Sequence, residues 1–380
     1  VSGPWILGLA DPAAGDVDAV GGKGAGLHRL VALGARVPAG FVVTTDAFRA
    51  ALTDTGDVEA PLRALSPDAP IDQVERAASE ARARLLRAAT AGPVLDAVRA
   101  AYDGLAGGIA RVAVRSSAVG EDAAGASFAG EHDTFLELRG RDAVADAVCR
   151  CWASLYTARA VSYREHAGRR SDQGSTPIGE LDHGAGAGSA GAMAVVVQEM
   201  VPARAAGVFM TLNPANGDRS TVVCEAVWGL GEPLVSGTVT PDRFVIDKIS
   251  GEVVRREVAR KERCLVRDPE HPGTHETDVP AERREQPCLD DAELAEILEL
   301  ARRVERDAGV PQDGEFAVAE PGGPVRVHLL QTRPETVWST RAPRAATSGA
   351  QSALSAVLAT LTRGAAATSP TPEGTPDHAG

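Results

Sequence analysis

The feature that most restricts the fold is a change of texture near residue 194. Before it, residues 46–107 are rich in Ala, Arg and Leu at helical spacing and read as a helical insert. After it, short apolar runs at 194–198, 207–211, 221–227 and 243–247 read as strands. A Gly/Ser/Ala-rich stretch at 168–192 reads as a mobile loop or linker between the two. The expected organisation is a first lobe over 1–192 with the insert, a second over 193–338, and a tail at 339–380. That tail has almost no periodicity and is expected to be disordered, with a short helix at 354–361 at most.

Within this frame, Gly21-Gly22-Lys23-Gly24 runs into a helix whose apolar stripe is Leu27, Leu30 and Val31, with Gly34 as its stop. Residues 37–43 read as a turn into a strand. Residues 111–115 form a compact strand that delivers Arg115 at its end, followed by a small-residue loop at 116–130. A helix is expected at about 142–166, carrying Trp152, Leu155 and Tyr156. Asp290 and Glu293 have the spacing of a capping box for a helix with Leu294, Ile297, Leu298, Ala301 and Val304 on one face, ending near Gly309. A final hairpin joins 315–319 to 325–330 through Glu320-Pro-Gly-Gly323.

The formal charge of −13 argues against a nucleic-acid or anionic-membrane surface, since both need a dense basic patch. No basic run followed by an apolar core opens the chain, and no stretch approaches 18 consecutive apolar residues. The five cysteines lack CxxC spacing and read as reduced thiols of a cytoplasmic protein. Three lysines stand against thirty-six arginines, so Lys23 is conspicuous as the only lysine in the first 247 residues.

Three constellations carry chemistry. Gly21 to Gly24 offer a close backbone approach, a helix N-terminus and a compact full charge on Lys23, the ingredients of a phosphate grip. The run is not a P-loop, and the alternative is a flexible turn. Arg115, beside Ser116 and Ser117 and a glycine-rich loop, suits a triphosphate because a guanidinium can bond two phosphate oxygens. Pairing with Glu121 or Asp122 is the alternative. In the last hairpin, Asp313 and Glu315 share a face, as do Gln331 and Arg333. A turn centred on Gly323 sets Glu315 opposite Gln331 and Asp313 opposite Arg333. Such hard oxygen donors suit Mg²⁺ held with phosphates, whereas a slip of one residue splits the set, and a solvated ion-paired face is the alternative. Gln198, Glu199, Met200 and Val201 leave an apolar strand by a turn, where free backbone groups can meet a purine edge. Core packing is the alternative there. The eight histidines show no metal-ligand pairing.

Taken in order, these segments resemble the nucleotide-binding domain shared by phosphoenolpyruvate synthase, pyruvate phosphate dikinase and rifampin phosphotransferase. The matching stretches are GGKGAGLHRLVALGARVPAGFVVTTDAF, VAVRSSAVGEDAAGASFAGEHDTFLEL, CWASLYTARAVSYR, VVVQEMVPARAAGVFMTLNP, EAVWGLGEPLVSGTVTPDRF, DGEFAV and LLQTRP, spanning residues 19 to 334. The resemblance implies an α+β, two-lobe ATP-grasp fold that clamps ATP and Mg²⁺. It implies that Lys23 and Arg115 grip phosphates, that Glu315 and Gln331 hold the metal with Asp313 nearby, and that Arg333 contacts the transferred group. Gln198, Glu199, Met200 and Val201 would bind adenine, and the stretch from Ser127 to Thr134 would be the glycine-rich loop over the phosphates. Phosphoryl transfer mainly demands positioning and charge neutralisation, which this set would supply.

In the complete family enzymes a swivelling domain carries a histidine in a GGxTxHxA-type motif, which takes the β-phosphoryl group so that ATP becomes AMP and phosphate. Here Gly273-Thr-His275 lacks the second glycine and the alanine. The expectation is a kinase-type phosphotransferase component whose phosphohistidine domain sits on a separate chain. The alternatives are a catalytically silent nucleotide-binding module or a fragment of a larger enzyme.

Overall fold

The computed structural model describes residues 3–54, 56–66, 69–88, 91–118, 134–158, 160–161, 192–319 and 327–338. One compact unit ends at Thr336, and residues from Val337 form a second. The tail expected at 339–380, the loop at 168–191 and most of the loop at 116–130 lie outside the described residues.

The compact unit is a mixed α+β body with two antiparallel sheets. The first consists of β1 (Ile6–Gly8), β2 (Gly40–Val43), β3 (Val112–Ala118), β4 (Thr134–Leu138) and β5 (Met193–Glu199), in the order β1-β2-β5-β3-β4. The second consists of β6 (Ala203–Met210), β7 (Thr221–Trp228), β8 (Asp242–Asp247), β9 (Val253–Glu257), β12 (Gln312–Ala319) and β13 (Val327–Pro334), in the order β13-β12-β6-β7-β8-β9. A separate hairpin pairs β10 (Arg263–Arg267) with β11 (Thr274–Asp278). The change of sheet therefore falls between Glu199 and Ala203. β5, which the reading of the sequence gives to the second lobe, pairs with β2 and β3 in the first.

The reason lies in the β5 sequence MAVVVQE. Val195 and Val197 enter one core, with Phe48, Leu85, Val98, Tyr102 and Trp152. Ala194 and Val196 enter another, with Val20, Leu27, Leu30, Phe209 and Ile297. A central strand covered on both faces reads as an unbroken apolar run, and such a run does not say which sheet it joins.

The first core lies under the helical insert, which forms α2 (Thr45–Asp54), α3 (Ala60–Arg63), α4 (Ile71–Ala88) and α5 (Pro93–Gly104), joined by α6 (Arg141–Ala153). α6 is shorter than expected and gives way to a 3₁₀ turn at Ser154–Tyr156. The second core is built around α1 (Val17–Ala32), which packs its buried Leu27 and Leu30 between the two sheets. Gly34 stands at φ 69°, and the N–H groups of Gly34 and Ala35 donate to the Val31 and Leu30 carbonyls, ending the helix as expected. On the far side of the second sheet's core lies α8 (Asp291–Ala308), numbered after the single turn α7 (Glu232–Val235). Its start is the capping box expected from Asp290 and Glu293, and its end is Gly309 in the left-handed region. Among the described residues no helix is long and apolar enough to cross a membrane.

Candidate functional site

Alternation along β3 is what builds the site. Val112 and Val114 point into the core beneath the insert. Ala113, Arg115 and Ser117 therefore share the opposite face of the sheet. Arg115 is not at a strand end, as its sequence suggests, but in mid-strand, paired with Val196 on one side and Thr134 on the other. From there its guanidinium crosses to the second sheet. Nη2 donates to Glu315 Oε2 at 2.8 Å and to Gln331 Oε1 at 2.8 Å. The Arg115 side chain is 16% exposed, so this charged contact is largely shielded from solvent.

The register of the last hairpin is the one expected, with Asp313 opposite Arg333 and Glu315 opposite Gln331. A bulge follows at once, after which Phe316 pairs with Leu329. Leu330 is the extra residue and lines the cavity, while Gln331, which does not line it, meets Arg115. Opposite, Gly314 lies under the Phe209 ring, where a Cβ would come within 2.2 Å of the ring. Arg333 Nε stands 3.6 Å from Asp313 Oδ2. Burial pushes the Asp313 carboxyl above its ordinary range, against the pull of Arg333.

A cavity of about 470 Å³ opens between the sheets. Arg115, Thr134, Glu315 and the whole 198–201 segment line it, together with the apolar Leu136, Leu230, Val235 and Phe316. The 198–201 turn is largely tied down: the Glu199 and Met200 N–H groups donate to the Ala39 and Arg111 carbonyls. The Gln198 amide is turned to the Pro38 carbonyl. Among the described residues the Val201 N–H has no partner, so it is the donor this turn offers. Ser127 lies outside the described residues.

Lys23 does not line the cavity. It is half-buried on α1, one turn before Gly26 on the same helix face. A Cβ on Gly26 would lie 3.2 Å from the Thr332 carbonyl, between Gln331 and Arg333, so this face abuts the far end of the hairpin. Asp313 and Arg333 belong to that same end. The sequence reading assigned no roles to the Leu230–Ser236 wall, which comes from the GLGEPLVS stretch, or to Ser117. Neither offers a charge pattern to notice.

Among the described residues no group of three or more His, Cys, Asp or Glu side chains could hold a metal. Glu315 and Gln331 nevertheless present two hard oxygens that already converge on one cationic nitrogen. That donor set fits Mg²⁺, which takes one or two protein oxygens and completes its shell with phosphates and water. The cavity carries Glu199, Glu232 and Glu315 against Arg115, an acidic surplus that would repel a bare triphosphate and admit one bearing cations.

Residues 17–353 match the family described as pyruvate phosphate dikinase, AMP/ATP-binding domain. The chain is 36% identical over 351 residues to a phosphoenolpyruvate synthase of Aeropyrum pernix, covering 84% of this chain and 41% of that protein. It is 40% identical over 340 residues to a rifampicin phosphotransferase of a Streptomyces species, covering 88% and 36% respectively. A probable phosphoenolpyruvate synthase of Methanothermobacter thermautotrophicus is 38% identical over 84% of the chain and 44% of its own length. The chain thus spans about two-fifths of the curated relatives it matches. A solved D-alanyl-alanine synthetase A from Vibrio cholerae overlaps 64% of the chain at 12% identity and a TM-score of 0.25, too loose to bear on the fold.

Proposed function

The chain belongs to the pyruvate phosphate dikinase AMP/ATP-binding domain family, and from that premise we propose that it binds Mg²⁺·ATP between its two sheets and supplies the β-phosphoryl group to a histidine outside these 380 residues. The observation that carries the reading is the Arg115 guanidinium from one sheet held by Glu315 and Gln331 of the other, on the wall of a cavity that the 198–201 turn also lines. In this reading the arrangement is a two-lobed ATP-grasp clamp. Adenine lies along 198–201, where the Val201 N–H can donate to it, with Leu136, Leu230 and Phe316 as apolar walls. Glu315 and Gln331 hold Mg²⁺ against the phosphates, and the metal neutralises charge on the transferred group. Arg115, Lys23 and Arg333 bind phosphate oxygens, with Asp313 orienting Arg333. Ser127 belongs to the loop over the phosphates, and Thr134, at the start of β4, ends that stretch.

Relatives with different names, a phosphoenolpyruvate synthase and a rifampicin phosphotransferase, match 84% and 88% of this chain. This supports assigning to it the donor side of the reaction. The reading is tested by calorimetry and thermal melts with Mg²⁺·ATP. A ligand at 100 times its Kd stabilises the native state by about 2.7 kcal/mol, which raises Tm measurably. No heat and no shift at millimolar Mg²⁺·ATP would refute it.

A further inference from the structure

α1 is interrupted. Gly21 stands at φ 70° and ψ 174°, outside the helical region, while the chain is helical on both sides of it. In an unbroken helix the Gly24 N–H would donate to the Val20 carbonyl, four residues earlier. Here the Ser117 hydroxyl is inserted into that bond. Ser117 Oγ donates to the Val20 carbonyl at 2.7 Å and accepts the Gly24 N–H at 3.1 Å. A side chain wedged into the ladder in this way is a recognised cause of a helix kink. Gly21 makes room for the wedge: a Cβ there would lie 2.1 Å from the Ser117 carbonyl oxygen and 2.4 Å from its hydroxyl. Ser117 itself is fully buried.

The segment that the wedge holds open contains Lys23. The strand that supplies the wedge also carries Arg115, two residues earlier on the same face, roughly 7 Å away along β3. We propose that Ser117 is a positioning residue for Lys23: its hydroxyl keeps α1 broken at Gly21 and so fixes the direction in which Lys23 presents its ammonium to the phosphates that Arg115 binds. This rests on the reading of Lys23 as a phosphate contact. Without the hydroxyl, two outcomes are open to the helix. Val20 and Gly24 close into a direct bond and turn residues 21 to 23, or both groups stay buried and unpaired. Either way the lysine loses its fixed station.

The test uses the 380-residue chain with Mg²⁺ and compares ATP with adenosine by calorimetry. S117A should lose about tenfold or more in ATP affinity, the scale of one charge-assisted contact, with adenosine binding unchanged. K23M should show the same pattern, and the double variant S117A/K23M should lose no more than K23M alone. If S117A does not fold, S117C, with a weak donor in a similar volume, is read by the same criteria. ATP binding by a folded S117A at the wild-type level, an equal loss for adenosine, or losses that multiply in the double variant would overturn the inference while leaving the Lys23 reading intact. A K23M variant that binds ATP normally would remove that reading and the inference with it.

Discussion

Arg115 spends its hydrogen bonds on Glu315 and Gln331, the two oxygens proposed to hold the metal. In this state a guanidinium stands where positive charge is needed, so metal and guanidinium compete for the same acceptors. The sign of a Glu315 variant then depends on Mg²⁺. With Mg²⁺, Glu315→Ala removes a ligand and should weaken ATP binding about ten- to a hundredfold, the scale of a contact to a charged group. Without Mg²⁺, the same change frees Arg115 for phosphate and should leave the weaker binding unchanged or improved. Calorimetry with and without EDTA separates the two, and an equal loss in both would exclude the shared-site reading. The spacing of Asp313, Glu315, Gln331 and Arg333 made this pairing legible in the sequence, because strand alternation and one turn position suffice. The partner of Arg115 was not legible: the acids near it in sequence are Glu121 and Asp122, while its acceptors lie about 200 residues away.

Elements with an apolar stripe and a cap were readable, and α8 matched in cap, stripe and stop because each is a local signal. β9, β10 and β11 were missed for the converse reason. β9 and β11 are mostly exposed and polar, and β10 has only a three-residue apolar run, Cys264 to Val266, so none shows the alternation that marks a half-buried strand. Yet the β10–β11 hairpin spans both sheets. Leu265 accepts the Leu230 N–H on one side. At the far end the Gly273 N–H donates to the Glu137 carbonyl and Arg111 donates to the His271 carbonyl. Glu137 lies under this strap with a buried Oε2 that has no hydrogen-bond partner among the described residues, 3.6 Å from Arg111. Burial pushes its carboxyl above the ordinary range, outweighing the attraction of Arg267 and Arg111. A group that holds its proton more tightly when folded contributes its stability at low pH and loses it as pH rises through the folded value. Removing the charge should therefore help most at neutral pH. The Tm of Glu137→Gln minus that of the wild type is expected to grow between about pH 4 and pH 8. A gap that stays flat or shrinks over that range would mean that the Arg111 attraction dominates instead.

At the scale of the molecule the question is where the phosphoryl group goes. In the proposed reading the two sheets clamp a nucleotide and neutralise it, but fast transfer also needs a nucleophile held in line with the reacting phosphorus. None of the four described histidines, His28, His271, His275 and His328, lines the cavity. His28 is bonded to the Leu9 carbonyl on the side of α1, and His275 is paired with Val266 inside the β10–β11 hairpin. His271 is exposed beside Asp268, and burial pushes His328 below its ordinary range. In the proposed reaction the carrier histidine comes from outside these 380 residues, on whatever chain bears it. The chain incubated with Mg²⁺ and ATP labelled at the β-phosphate is expected to form little AMP and no phosphorylated product from small acceptors such as pyruvate. Adding a histidine-bearing domain from a phosphoenolpyruvate synthase should start AMP formation and place the label on that domain in an acid-labile form. Arg115→Ala or Arg333→Ala should each suppress the labelling by about tenfold or more while the fold persists, because each removes a charge that the transition state needs. Robust AMP formation coupled to a phosphorylated acceptor with no added domain would overturn this. It would mean that the cavity between the sheets holds donor and nucleophile together, and that the clamp is a complete kinase.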